Sequence, residues 1–210
     1  MSAQLNHEEI ISAATADPSN TPITFPDDHV NQTIANYYTV DEPFTYTHTQ
    51  LWDMEVKKAR NPAKYLRPII RPGSLKVFDV QTNGDIETFT RVSDQRRFQN
   101  PGEFGTVIEQ VRIEHKNHKV YFVGIPEVTG PDGEKIVAGK NQPVFHVSHG
   151  ALGEEDSPRN TWHIVFLTEK RDEGLKETLE GMGKNPFLSV YNEIYIKEDL
   201  GRTLTRKEQK

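Results

Sequence analysis

The sequence predicts an α+β domain with its helices packed on one side of an antiparallel sheet. Three observations carry that expectation. Residues 74–125 and 143–169 alternate apolar and polar side chains between hairpin turns. A helical period occupies the stretches on either side of this block, 50–60 and 173–195. Strands and helices are therefore segregated along the chain instead of alternating as a parallel sheet requires.

Taken in order, residues 1–36 carry Pro18, Pro22 and Pro26 among Ser, Thr, Asn and Asp, and are expected to form a flexible arm. A short helix at Glu8–Ala14 fits within it, and the arm is long enough to fold over the domain as a flap. Residues 37–47 (YYTVDEPFTYT) read as a first strand. Thr47 or Thr49 then caps a helix with Leu51, Met54 and Lys58 on one face and Trp52, Val56 and Ala59 on another. Pro62 stops that helix, and Ala63–Leu66 adds a short turn.

Residues 74–80 and 86–93 form a hairpin across Thr82-Asn83-Gly84-Asp85, and 105–114 and 119–125 form a second across His115–His118. A Gly- and Lys-rich loop (129–141) leads to strands at 143–149 and 161–169. Leu175, Leu179 and Met182 then mark a helix, which Gly183 and Pro186 break before a second piece with Val190, Tyr191, Ile194 and Tyr195. The organisation expected is an arm (1–36), a domain (37–200) and a frayed tail (201–210).

Composition excludes several classes of function. The formal net charge is −6, and the basic clusters Lys57–Lys58–Arg60 and Arg96–Arg97 are short and read as solvated faces. That argues against nucleic acid as a partner. No apolar run reaches the about 18 residues of a membrane helix. With no cysteine, disulfides, thiolate catalysis and cysteine-ligated metals are absent. The first twenty residues lack a charged-then-apolar signal layout, so a cytoplasmic protein is expected.

The stretch QLWDMEVKKARNPAKYLRPII (50–70) carries Trp52, Lys58-Ala59-Arg60, Pro62 and Tyr65, and Thr90-Arg91-Val92 follows on a later strand. In these residues, and in element order over roughly 40–182, the chain resembles the AtaL-like branch of the Bet v 1/START-type (SRPBCC) superfamily. The resemblance implies a helix-grip fold, in which a curved seven-stranded antiparallel sheet wraps a C-terminal helix around an apolar cavity. It also implies an accessory role in polyketide cyclisation, as some fungal members of this branch have. The long arm and the broken C-terminal helix depart from the pattern.

A cavity of that kind is mostly apolar with a few placed polar groups. Candidate catalytic residues are therefore polar side chains interrupting strand faces. Glu109 shares a face with Val107, Val111 and Ile113, where burial would make it an acid or base; a cross-strand ion pair is the competing reading. Arg91 offers a planar fork to a carboxylate or enolate oxygen, or pairs with Glu87 or Glu109. His146 and His163 are candidates for proton transfer, although the Trp162, Ile164, Phe166 face is the better core face and puts His163 outside. His149 falls on the face of Phe145 and Val147. Aromatic residues placed to meet a ligand are Trp52, Tyr65, Phe89, Tyr121, Phe122, Trp162, Phe166 and Tyr191.

The pairs His115/His118 and His146/His149 lack a third ligand of suitable spacing, so no metal is expected. No Gly-rich phosphate loop or nucleophile elbow is present, and no cofactor is expected. The function expected is a cyclase-like enzyme of secondary metabolism acting on a polyketide or aromatic intermediate. The alternative is a non-catalytic binder or carrier of an apolar small molecule. Val165 and Leu167 beside His163 are read as a homodimer contact.

Overall fold

The computed structural model describes residues 6–98, 100–140 and 142–208. The chain opens with helix α1 (His7–Ala16), strands β1 (Thr21–Thr24) and β2 (Asp28–His29), and helix α2 (Val30–Tyr37). A short strand β3 (Tyr38–Val40) precedes helices α3 (His48–Arg60) and α4 (Pro62–Tyr65). Strands β4 (Lys76–Asn83), β5 (Ile86–Arg96), β6 (Phe104–Glu114) and β7 (Lys119–Gly124) follow. A small hairpin, β8 (Glu127–Thr129) and β9 (Lys135–Val137), leads to β10 (Phe145–Glu154) and β11 (Ser157–Phe166). The C-terminal segment comprises α5 (Glu173–Met182), α6 (Val190–Ile194), a π-helical turn over 195–199 and strand β12 (Leu204–Arg206).

The main sheet is antiparallel and eight-stranded, in the order β1-β11-β10-β7-β6-β5-β4, with β2 also pairing β11. The predicted α+β, helix-grip class is therefore the observed one. Its C-terminal helix is in pieces, broken where Gly183 and Pro186 stand, and α3 shares the inner face of the sheet with it. No helix of the described residues is long and apolar enough to cross a membrane.

The period of two sets the faces. Phe89, Val111, Phe122, Val147 and Ile164 point inward, onto Val56 and Ala59 of α3 and Leu175 and Leu179 of α5. A second cluster joins Leu51, Met54, Tyr65, Tyr195 and Ile196 beside the sheet. Helix α3 is anchored at its start by a capping box, in which Thr47 accepts from Gln50 N–H and Gln50 returns the bond. Such a cap contributes about 1 kcal/mol.

The N-terminal arm carries the expected short helix as α1 and is folded where a flexible segment was expected. Residues 7–37 are folded on the domain, with Ile11 of α1 packed on Tyr121, Val123 and Val165 of the outer sheet face. Their prolines and polar residues suit an edge strand and caps, and the apolar pairs that hold them to the sheet are long-range, so local composition does not reveal them. The same helix packs on Val165, which is completely buried, while Leu167, the other residue read as a dimer contact, is 36% exposed. Residues 1–5 lie outside the described residues, as do the last two of the tail. The rest of that tail is paired: β12 lies against β3, and Arg206 bonds Glu193 at 2.7 Å. Of the expected first strand at 37–47, β3 alone is extended into a ladder.

Gly124 ends β7 where the sheet leaves no room for a side chain: a Cβ there would meet the Phe145 carbonyl and lie 2.9 Å from Val144 Cγ1. Gly124→Ala is expected to lower stability by about 1–3 kcal/mol through overpacking, read as a shift of the urea midpoint.

Candidate functional site

Helix α3 carries Glu55 and Lys58 on its sheet-facing side, one turn apart, with relative exposures of 0% and 2%. Lys58 is far from solvated, unlike Lys57, whose side chain is 43% exposed. The Lys58 ammonium donates to Glu55 Oε1 at 2.8 Å and lies 2.7 Å from Oε2. It also reaches His149 Nδ1 on β10 at 3.0 Å and sits 3.9 Å over the ring centre of Tyr191. Asn160 of β11 donates to the same Glu55 oxygen at 2.8 Å, and Asn192 of α6 donates to Asn160 at 3.2 Å. The network thus ties α3 to two central strands and to the C-terminal segment.

A second buried pair stands beside it. Arg91 Nε donates to Glu109 Oε2 at 2.6 Å, and its Nη1 to the Ala59 carbonyl at 3.0 Å. The guanidinium carbon lies 4.5 Å from the Phe122 ring centre. The Arg91 Nη2 group makes no hydrogen bond to a described residue. Lys58, Arg91 and Glu109 border one cavity of about 140 Å³, walled by Phe98, Phe122, Phe145, Trp162 and Tyr191. A further space of about 270 Å³ shares Leu66, Ile69, Phe98, Trp162 and Tyr191 and leads toward Phe187 and Arg206. Phe25 stacks on Trp162 at 4.3 Å at this junction.

Burial and charge oppose each other here. Desolvation would raise the Glu55 carboxyl, but the Lys58 charge and His149 outweigh it and hold the group down at about 2. Desolvation dominates at Lys58 and brings the amine down to about 8 in spite of Glu55. Burial, then the Lys58 charge, lowers His149. With Lys58 as the donor, a neutral His149 accepts at Nδ1 and carries its own proton on Nε2.

The structure brings Arg91, Glu109, Phe122, Trp162 and Tyr191 together at the inner cavity. Glu109 faces the cavity as the cross-strand ion-pair partner of Arg91, the competing reading of this residue. His146 and His163 are not at this cavity. They stand on the outer face, where His146 Nδ1 accepts from Gly124 N–H at 3.1 Å and His163 lies 2.9 Å from the Thr15 hydroxyl of α1. The strand period puts them there, one residue out of step with the cavity wall. Tyr121 is also on the outer face, lining a cleft of about 440 Å³ under α1 with Lys119 and His163. That cleft is larger, but its charged pair, Lys119 and Glu8, is solvent-exposed.

The other aromatic candidates are used for packing. Trp52 lies against His115 and His118, Tyr65 donates to Asp199, and Phe89 and Phe166 are in the inner core. Sequence reasoning missed Glu55, Lys58, His149 and Asn160. Lys58 was on the Leu51–Met54 face and His149 on the Phe145–Val147 face, which was the available signal. Among the described residues no group of three or more His, Asp or Glu is arranged to hold a metal ion.

No family model matches the chain, and no curated protein matches it. Among solved structures it is similar to the Zhui aromatase/cyclase from Streptomyces sp. R1128, with TM-score 0.43 and 9% identity over 76% of this chain and 94% of that one. It is also similar to the di-domain ARO/CYC StfQ of the steffimycin biosynthetic pathway, with TM-score 0.42 and 10% identity over 78% of this chain. A third is the di-domain ARO/CYC BexL of the BE-7585A biosynthetic pathway, with TM-score 0.41 and 11% identity over 91% of this chain. The chain spans about half the length of these two di-domain proteins, 45% and 48%.

Two outcomes follow from the charge network. Lys58→Met is expected to cost about 3–5 kcal/mol at neutral pH by stranding the Glu55 charge, and adding Glu55→Gln should restore most of it. Because the folded carboxyl sits near 2 against an ordinary 4.5, its stabilisation is complete above 4.5 and is lost as pH falls toward 2. Urea midpoints across that window should therefore fall more steeply in the wild type than in Glu55→Gln.

Proposed function

We propose that the chain binds a poly-carbonyl or aromatic intermediate in the inner cavity and assists its cyclisation by proton transfer, as a cytoplasmic accessory enzyme of secondary metabolism. The observation that carries this reading is the placement of two buried cations, Lys58 and Arg91, on the wall of an aromatic cavity. Aromatic walls favour a flat, unsaturated ligand. A cation in a water-poor site stabilises charge that develops on a carbonyl oxygen when an α-proton leaves. The unbonded Arg91 Nη2 is a donor for that oxygen.

Lys58 and His149 supply the matching proton movement. A proton passed along their 3.0 Å bond leaves a neutral amine and an imidazolium, and Glu55 Oε1, 3.5 Å from His149 Nδ1, balances either cation. The amine then serves as the base at the α-carbon. Folding a flexible chain between the walls supplies the rest by orientation. The resemblance to AtaL-like proteins supports the same substrate class. Carriage without catalysis is the second reading, favoured by the fact that each cation already holds a carboxylate partner.

The test uses heptane-2,6-dione, whose intramolecular aldol condensation yields a cyclohexenone. The protein is expected to accelerate this reaction, with a rate that rises as pH increases through about 8 and the Lys58 amine loses its proton. Arg91→Met should reduce the rate by about 10²-fold. A protein that binds a naphthalene-sulfonate dye in the cavity yet gives no acceleration at any pH would be a carrier.

A further inference from the structure

We propose that Lys58 acts as a nucleophile as well as a base, forming an imine with a ketone carbonyl of the ligand held in the inner cavity. The inference rests on the reading of that cavity as a carbonyl-binding site and names the bond by which it would hold its substrate.

The geometry has the parts this chemistry needs. Lys58 is the one lysine among the described residues that line the cavity. Its ammonium protons have acceptors within reach, Glu55 at 2.8 Å and His149 Nδ1 at 3.0 Å, so a proton can leave without crossing open space. An amine taken out of water is available as a nucleophile at neutral pH, which is why buried lysines serve in Schiff-base enzymes. The face of Tyr191, 3.9 Å away, stabilises a cation at this position, and an iminium carries the same charge as the ammonium it replaces. The buried carboxylate of Glu55 therefore keeps its counter-ion throughout.

The steps balance. Lys58 yields a proton to His149, and its nitrogen lone pair attacks the carbonyl carbon. The C–N bond forms and the oxygen takes the proton back from His149. The carbinolamine loses water to give the iminium. An α-proton then moves to His149, leaving an enamine whose carbon attacks a second carbonyl of the same chain. The new C–C bond closes the ring, and the second oxygen takes the proton. One water hydrolyses the iminium, releasing the cyclic ketol and restoring the Lys58 ammonium. Water is lost once and regained once, and nothing is oxidised or reduced.

The experiment treats the full chain with pentane-2,4-dione, whose lysine imine settles as a stable enaminone. In parallel, 4-phenylbutan-2-one is reduced onto the protein with sodium borohydride, and adducts are mapped by peptide mass spectrometry. The expected result is an adduct on Lys58 that forms at least about tenfold faster than on exposed lysines such as Lys57 and Lys119. It should be absent in Lys58→Arg, whose guanidinium keeps the charge; the wild-type map decides the matter even if that variant fails to fold. Adducts confined to exposed lysines, in a protein that still accelerates heptane-2,6-dione cyclisation, would overturn the imine and leave the proton relay standing. No Lys58 adduct together with no acceleration and no dye binding would remove both.

Discussion

The ion pair between Glu55 and Lys58 is the constraint on which the architecture turns. Neither charge can stand alone at 0% and 2% exposure, so every element that approaches them must supply a partner. Helix α3 supplies both charges, β10 brings His149, β11 brings Asn160 and α6 brings Asn192. This fixes the register of α3 over the sheet more tightly than apolar contact would, because a sliding helix would strand a buried carboxylate. The same pair gives little net stability by itself, since desolvation offsets attraction. Its value lies in holding a cation against an aromatic cavity.

Arg91 and Glu109 repeat the device on neighbouring strands. Cross-strand register places them opposite each other, and the Ala59 carbonyl near the end of α3 takes a further Arg91 donor. Helix α3 therefore contributes to both charge clusters, one through side chains and one through its backbone. Gln95 completes the edge by donating to Glu109 at 3.4 Å. The outcome is a cavity whose polar groups are pre-oriented by bonds to the protein, the condition under which they can stabilise charge without rearranging.

The sheet and its hairpins were legible because the period of two and the turn residues are local signals. Gly84-Asp85 and His115–His118 form turns where the pattern changes, and Pro62 ends α3 as its ring requires. The break before Pro186 was equally visible. The docking of the N-terminal arm was not, because Ile11 of α1 packs on Tyr121, Val123 and Val165, more than a hundred residues away. Within the site, Arg91 and Glu109 were readable as charges on an apolar face. Lys58 was harder to read: it sits between exposed Lys57 and Arg60, and a basic run ordinarily signals solvent. The helical period, which groups it with Leu51 and Met54, was the better guide. His146 and His163 show the converse error, in which chemical suitability outweighed a strand parity that already pointed them outward.

The most direct measurement is the titration of the Lys58 amine by NMR, with lysine side chains labelled and Lys58→Arg used for assignment. Loss of its proton near pH 8, ahead of the exposed lysines, is expected from its burial beside the cavity. Titration together with the exposed lysines near 10.5 would contradict the buried position, and with it both the proton relay and the cavity chemistry built on it.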